Sequence, residues 1–589
     1  MTDRARRAAT PALLLVASVA LAFALSGLLA GTAQAAVTNG GMSLYGIYLS
    51  KGGNTTQYDP NDREASEFGD AVLMESEGEY LLMDAGQSWC ADSLVSYLKK
   101  AGVKRLSVYV SHVHPDHMDG VEALASATKK NSAGRTVPAF QIERLYYPNT
   151  EYGRDWDPTE GATVEGRTEK LMGWVRETNP NCQMIPLSVG DTLQVGAVSG
   201  TVLGPVNTYA PSYYGPTTCG PDATISARAW TYGGGSSSDS ATVTKNRRMG
   251  HYLNNCSLTT MFSVMSASGK TIKYLTCGDI EYAEEMALVE RYGSSLQADI
   301  LKLNHHGIAT SNCAAFIDTV KPKWTLCENM AFNKPNNAGL SSDGEKRNAN
   351  PMIEALKNVQ KHGFVYTVGV DPNSNVWHSL GIQVASSGSV SLYKDADENG
   401  VLTEAERLKG WTKVMGINST RYGNRTAADY YYLVGGKPKV GVQKIGSYYY
   451  YLGTGGCREH GFYSTKPGHA WNGWQVYNST GTKAWTSGKK YYRYFTTSGR
   501  MVVGPYSSKL KDVTGAYHRF YFKSNGIRYS TTAKWRLVKR GSYYYYAVNT
   551  NGVLWSSAES NWTKTKHMVK IGAKVYQTNK YGRVVKRVK

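Results

Sequence analysis

The sequence predicts an α/β sandwich, with sheets inside and helices outside, followed by an all-β domain of repeated hairpins. Three observations carry that expectation. Short apolar strands alternate with helices from about Ser43 to Gly381. From about Gly410 the texture changes to tyrosine runs closed by glycine turns. A chain of 589 residues is also too long for one hydrophobic core, so at least two domains are expected.

At the N-terminus, Arg4, Arg6 and Arg7 precede an apolar stretch from Ala12 to Ala30, and Ala33-Gln34-Ala35 follows as a small-x-small site. That order describes a secretory signal peptide over residues 1–35; an uncleaved membrane anchor is the alternative. Beyond it no apolar run is long enough to span a bilayer, which argues against a polytopic membrane protein and against stable membrane insertion after cleavage. Export permits disulfides among the eight cysteines. None forms a CxxC pair, which disfavours a structural zinc ribbon. Cys256 and Cys277 fall on consecutive expected strands and are either a bridge or two buried thiols.

Residues 36–387 hold the expected sandwich. Ala71–Glu75 and Tyr80–Met83 read as a hairpin ending at Asp84, and Asp92–Ala101 as a helix with Leu94, Val95 and Leu98 on one face. Leu106–Val110 reads as a strand running into a histidine-rich loop, with a helix at Val121–Thr128 behind it. Strands follow near Leu258–Met265, Lys273–Cys277 and Asp299–Leu303, and helices near Ala283–Tyr292 and Pro351–His362. Two inserts, roughly Tyr147–Thr178 and Tyr209–Arg248, read as long loops of the kind that form lids or stay disordered.

Residues 388–409 form a linker, and 410–589 the repeat domain. Tyr448–Tyr451, Tyr491-Tyr492 and Tyr543–Tyr546 are each followed by a glycine, at Gly453, Gly499 and Gly552. A single such hairpin cannot bury its own apolar face, so stacking on the next must supply the core. This region is strongly basic, with 32 Lys and Arg against 4 acidic residues from residue 409 onward, while the whole chain carries +20. The upstream part is therefore acidic on balance. A positive extracellular tail suits an anionic partner such as a cell-wall polymer, nucleic acid or lipid head groups.

The strongest chemical signal is Ser111-His112-Val113-His114-Pro115-Asp116-His117. Three imidazoles and a carboxylate within six residues, on a loop after a buried strand, can converge on one divalent ion; zinc suits the donors best and manganese is the alternative. The loop resembles the HxHxDH signature of the metallo-β-lactamase fold superfamily. Three further positions follow in that superfamily's order: Asp84 after Leu82-Met83, Asp279 after Cys277-Gly278, and His305 in Leu303-Asn304-His305-His306-Gly307.

The resemblance covers roughly residues 43–385 and implies an αββα sandwich with a one- or two-metal centre. It implies a site made by Asp116, His117, Asp279 and His305. A weaker partner site would be made by His112 and His114 with bridging Asp279. Asp116 and Asp279 are the catalytic pair, holding and orienting the nucleophile. Asn255 stands where many members place a further histidine; His251 is the nearby substitute. Asp84, Asn255 and His306 are read as residues around the ligands or contacts for substrate.

Gly69–Leu73, Asn254–Leu258 and His305–Gly307 resemble the hydrolase domain of DNA-uptake competence proteins. The plan of export signal, hydrolase and aromatic repeats resembles teichoic-acid phosphorylcholine esterase. Both relatives handle phosphodiesters, which implies a phosphodiesterase here, with an extracellular nuclease or a catalytically weak adhesin as alternatives. The tail resembles choline-binding and related wall-binding repeats, but has fewer Trp and more Lys and Arg, so anionic wall polymer is expected rather than choline.

Finally, residues 395–406 fit an EF-hand loop. Asp395, Asp397, Asn399, Val401, Thr403 and Glu406 stand at the calcium-ligand positions and Gly400 at the turn. A strand, not a helix, is expected before it, and a solvated acidic linker is the alternative.

Overall fold

The computed structural model describes residues 40–49, 69–151, 164–206, 253–307 and 311–328, most of 355–414, all of 429–452 and much of 474–589. The expected signal peptide, the second insert, His251 and most of the helix at Pro351–His362 lie outside the described residues. The chain divides into two units. One comprises residues 1–409, 413–428 and 435–437, and the other 410–412, 429–434 and 438–589.

The first unit holds two mixed sheets. One runs Gly369–Asp371, Val376–Val384, Met42–Gly46, Val72–Ser76, Glu79–Met83, Arg105–Tyr109, Gln141–Pro148, Gln183–Leu187, with Val390–Asp395 also paired to Val376–Val384. The other runs Phe364–Thr367, Trp324–Cys327, Ile300–Lys302, Thr271–Thr276, Thr259–Met265, Val198–Gly204, Thr192–Val195. Each sheet is antiparallel on one side and parallel on the other. Glu79–Met83, Arg105–Tyr109, Gln141–Pro148 and Gln183–Leu187 are parallel neighbours in the first. Thr271–Thr276, Ile300–Lys302, Trp324–Cys327 and Phe364–Thr367 are parallel in the second.

Parallel strands must be covered on both faces, and both sheets are. Leu94, Tyr97 and Leu98 of helix Ala91–Lys100, Val121 and Leu124 of Gly120–Ser126, and Leu171 and Val175 of Val164–Thr178 share one core with the first sheet. Leu288 of Tyr282–Tyr292 and Phe316, Ile317 and Val320 of Ala314–Val320 share another with the second sheet. The sheets face each other through Tyr109, whose hydroxyl lies 2.9 Å from Thr260 Oγ1 and whose ring meets Phe262 edge to face at 6.4 Å. The result is the expected αββα sandwich.

One expectation is corrected, and one choice left open is decided. The first insert is not wholly loop: Val164, Thr168, Leu171, Met172 and Val175 recur at helical spacing and are buried along helix Val164–Thr178. The Cys256–Cys277 bridge does not form, and the six described cysteines are free thiols. Register explains this. Thr260 pairs with Thr276 across the two strands, which leaves Cys256 in the turn before the ladder begins.

The second unit is strand-rich among its described residues. Antiparallel hairpins pair Gly441–Ile445 with Tyr448–Leu452, Trp474–Tyr477 with Tyr491–Tyr494, and Trp535–Arg540 with Tyr544–Asn549. Met568–Ile571, Lys574–Thr578 and Val584–Arg587 form a three-stranded sheet. Gly446 and Gly572 open two-residue turns at φ +58° and +59°, a conformation that favours glycine. Asparagines build two other turns: Asn549 Oδ1 accepts from the amides of Asn551 and Val553, and Asn579 Oδ1 from those of Tyr581 and Arg583. The cores are small, one of them Val502, Leu510, Phe520, Phe522 and Val553. Among the described residues no helix is long and apolar enough to cross a membrane.

Candidate metal centre

The candidate residues stand on four loops, each at the carboxyl end of a parallel strand, where open α/β sheets present their sites. Asp84 follows Glu79–Met83 and the histidine loop follows Arg105–Tyr109, both in the first sheet. Asp279 follows Thr271–Thr276 and His305-His306 follow Ile300–Lys302, both in the second. Pro115 starts the short helix Pro115–Met118, which places Asp116 and His117 in one turn. Asp84, His305 and His306 hold left-handed backbone at φ +60°, +46° and +52°. Such strain persists where surrounding structure over-determines it, and it clusters at functional sites. Gly69, at φ +115°, lies so near the histidine loop that a Cβ there would stand 2.1 Å from the Asp116 carbonyl oxygen.

His117 is fully buried between two carboxylates. Its Nδ1 lies 2.9 Å from Asp84 Oδ2 and its Nε2 3.0 Å from Asp279 Oδ2. Asp84 is itself held by the Ser111 amide and hydroxyl, both donating at 2.7 Å. His306 mirrors the arrangement: Nδ1 lies 3.0 Å from Asp70 Oδ1, and Nε2 3.2 Å from Asp279 Oδ2 and 3.3 Å from Asp116 Oδ2. Burial alone would strip charge from His117, but Asp279, Asp84 and Asp116 outweigh it and raise its pKa well above the usual value. For Asp279 burial works toward neutrality, and His117, His306 and His305 overcome it, holding the carboxyl well below its usual range. His112 and His114 go the other way. Burial lowers both, His114 to about 4.

One donor from each of Asp116, His117, Asp279 and His306 lies within 4.8 Å of the others, and a second group joins Asp70, Asp84 and His117. Of the expected ligands, His305 stands further out. Its Nε2 lies 3.8 Å from Asp279 Oδ2, and its Nδ1 3.4 Å from Glu281 Oε1. His112 is buried beside the cluster, with ring centroids 4.2 Å from His117 and 4.7 Å from His114. Asn255 turns away from it: its Oδ1 accepts from the amides of Glu281 and Glu284, at the start of helix Tyr282–Tyr292. Asp70 and Lys302 were not singled out from the sequence. Lys302 is the readable anomaly, a cation inside the apolar run Ile300-Leu301-Lys302-Leu303.

The expected calcium loop is closed by its own hydrogen bonds. Buried Asp395 accepts from the amides of Asn399 and Gly400 at 3.1 and 2.8 Å, and from the Tyr97 hydroxyl at 2.7 Å. Asn399 Oδ1 accepts from the Val401 amide. Glu406 accepts from the Ala396 amide and from the amide and hydroxyl of Thr403. Asp397 is exposed.

The cluster's chemistry fits a divalent cation. Buried His112 Nε2 and Asp279 Oδ1 have no hydrogen-bond partner, and imidazole nitrogen with carboxylate oxygen is the donor set of zinc and similar ions. The αββα sandwich with this loop at its strand ends is the architecture expected from the resemblance to the metallo-β-lactamase fold superfamily.

A family model described as anti-Pycsar protein Apyc1 matches residues 62–150, the part that contains Asp70, Asp84 and the histidine loop. No curated protein matches the chain. Among solved structures it is similar to a diphosphatase from the PhnP family, at 11% identity and TM-score 0.25, covering 49% of this chain and 85% of that one. It is similar to the metallo-β-lactamase fold protein YhfI from Bacillus subtilis, at 12% identity and TM-score 0.25, covering 48% and 85%. It is also similar to MEM-A1, a subclass B3 metallo-β-lactamase from a soil metagenome library, at 13% identity and TM-score 0.24, covering 49% and 90%.

Proposed function

We propose that the chain is a metal-dependent hydrolase of phosphodiesters, exported and held at a cell surface by its basic repeats. The observation that carries the hydrolase reading is the convergence of Asp116, His117, Asp279 and His306 from two sheets into one donor group. A divalent ion there, zinc or manganese, supplies Lewis acidity and lowers the pKa of bound water toward neutrality. The chain's own residues do the rest. Asp84 fixes the His117 ring, Asp279 lies between the two histidines, and Asp116, with its side chain 22% exposed, meets incoming solvent and substrate. Arg167, whose Nη1 donates to the Val113 carbonyl at 3.2 Å, brings a guanidinium beside the histidine loop, which suits an anionic substrate.

The phosphodiester class is supported by the resemblance of Gly69–Leu73 and His305–Gly307 to hydrolases of that chemistry, and the cell-wall polymer by the charge of the tail. Metal analysis of the purified chain with a panel of phosphodiester substrates, teichoic acid and DNA among them, tests the reading. Loss of hydrolysis in His114→Ala with polymer binding retained is the expected result; an unchanged rate sinks it. Cleavage of DNA alone would favour the nuclease, and no turnover by a metal-loaded chain the adhesin. Calcium at residues 395–406 belongs to the same proposal as a stiffener of the linker. Calorimetry should show calcium uptake that Asp395→Ala abolishes, and no uptake by the parent removes it.

A further inference from the structure

Lys302 ends a central strand of the second sheet, between parallel neighbours, and its side chain is 2% exposed. Burying an ammonium is costly unless it is paired and hydrogen-bonded. Its amine reaches the carbonyls of Gly278 and Leu303 at 3.3 Å each, and its ion-pair partner is Asp70 Oδ2. Asp279 Oδ1 stands 3.9 Å away. The other oxygen of Asp70 faces His306 Nδ1 at 3.0 Å. Lys302, Asp70 and His306 thus form a buried line that ends at the donor group.

We infer that Lys302 and Asp70 are positioning residues, which fix the His306 ring so that Nε2 faces the metal site. The inference rests on the metal-centre reading above. An ionised carboxylate can only accept a hydrogen bond, so Asp70 places the proton on Nδ1 and leaves Nε2 as the donor atom toward a cation. Lys302 supplies the countercharge that lets Asp70 sit beneath the site, where Asp84, Asp116 and Asp279 already crowd negative charge. The pair does for His306 what Asp84 and the Ser111 donors do for His117. Its countercharge is a side chain rather than an amide and a hydroxyl.

The test compares the full chain with Asp70→Asn, Lys302→Met and the double variant. Zinc affinity is read by competition with a chromophoric chelator, the cobalt derivative by its visible spectrum, and the metal-free forms by thermal unfolding. Lys302→Met alone should lower both melting temperature and affinity, because it strands a buried carboxylate. The double variant leaves neither charge unpaired and should recover most of the metal-free melting temperature. Its zinc affinity should stay about ten- to a hundred-fold below the parent's, with an altered cobalt spectrum. Should the double variant fold poorly, Asp70→Asn keeps the size of the side chain, and its affinity decides the matter. Parent-like affinity and spectrum in the double variant, or in Asp70→Asn, would mean that the pair merely fills the core. A parent that binds no divalent ion would remove this inference and the proposed function together, whereas equal binding by parent and variants would remove this inference alone.

Discussion

At the scale of single residues, the site depends on buried carboxylates doing different work. Glu285 braces the loop that follows the His305-His306 turn. It accepts from Asn304 Nδ2 and the Asn312 amide on one oxygen and from the Cys313 amide on the other. Burial pushes its pKa up from 4.5 to about 7, against the pull of the Cys313, Asn304 and Asn312 donors. The folded state therefore holds this proton longer than the unfolded chain. Its contribution to stability is full below pH 4.5 and is lost as the pH rises through 7. The span corresponds to about 3 kcal/mol. Urea midpoints measured from pH 4 to 8 should fall over that window in the parent, and Glu285→Gln should lack that part of the slope. Parallel profiles would show that Glu285 does not titrate there.

At the scale of elements, Asn255 offers a clean decision between cap and ligand. Its two accepted amides belong to the start of helix Tyr282–Tyr292. Asn255→Ala should cost about 1 kcal/mol, as a lost helix cap does, and leave metal stoichiometry unchanged. A loss of bound metal with no change in melting would reverse that assignment. The sequence made the histidine loop legible because its donors sit within one short segment, and Asp84 because a hairpin visibly ends there. It singled out His305 as the ligand and His306 as a neighbour, whereas the donor group takes in His306 and leaves His305 further out. Both rings lie on consecutive left-handed residues, a backbone state that side-chain types do not announce. The pairing of Asp70 with Lys302 was hidden for a different reason: the two meet only because separate sheets face each other. Helix Val164–Thr178 went unread because its apolar positions are interleaved with charged residues and glycines, a composition that reads as loop.

At the scale of the whole molecule, charge is segregated along the chain, with 32 basic residues against 4 acidic ones from residue 409 onward. Attraction between such a tail and a polyanion is screened by salt, with a Debye length of about 8 Å at physiological ionic strength. Retention of the full chain on immobilised teichoic acid should drop steeply between roughly 0.05 and 0.5 M NaCl. Hydrolysis of a small neutral-headed phosphodiester should change far less. Salt-insensitive retention would point instead to aromatic recognition. Arg528 already stacks its guanidinium 4.4 Å from the Tyr492 ring, so some of the tail's aromatic surface is engaged internally.

The donors of the candidate centre are divided between the layers: Asp116 and His117 come from one sheet and Asp279 and His306 from the other. Neither half of the sandwich can assemble the cage by itself. A chain whose halves have not yet docked presents an ion with fragments only. The donor group therefore comes into being only when the two layers dock, and metal uptake should report completed folding of the sandwich.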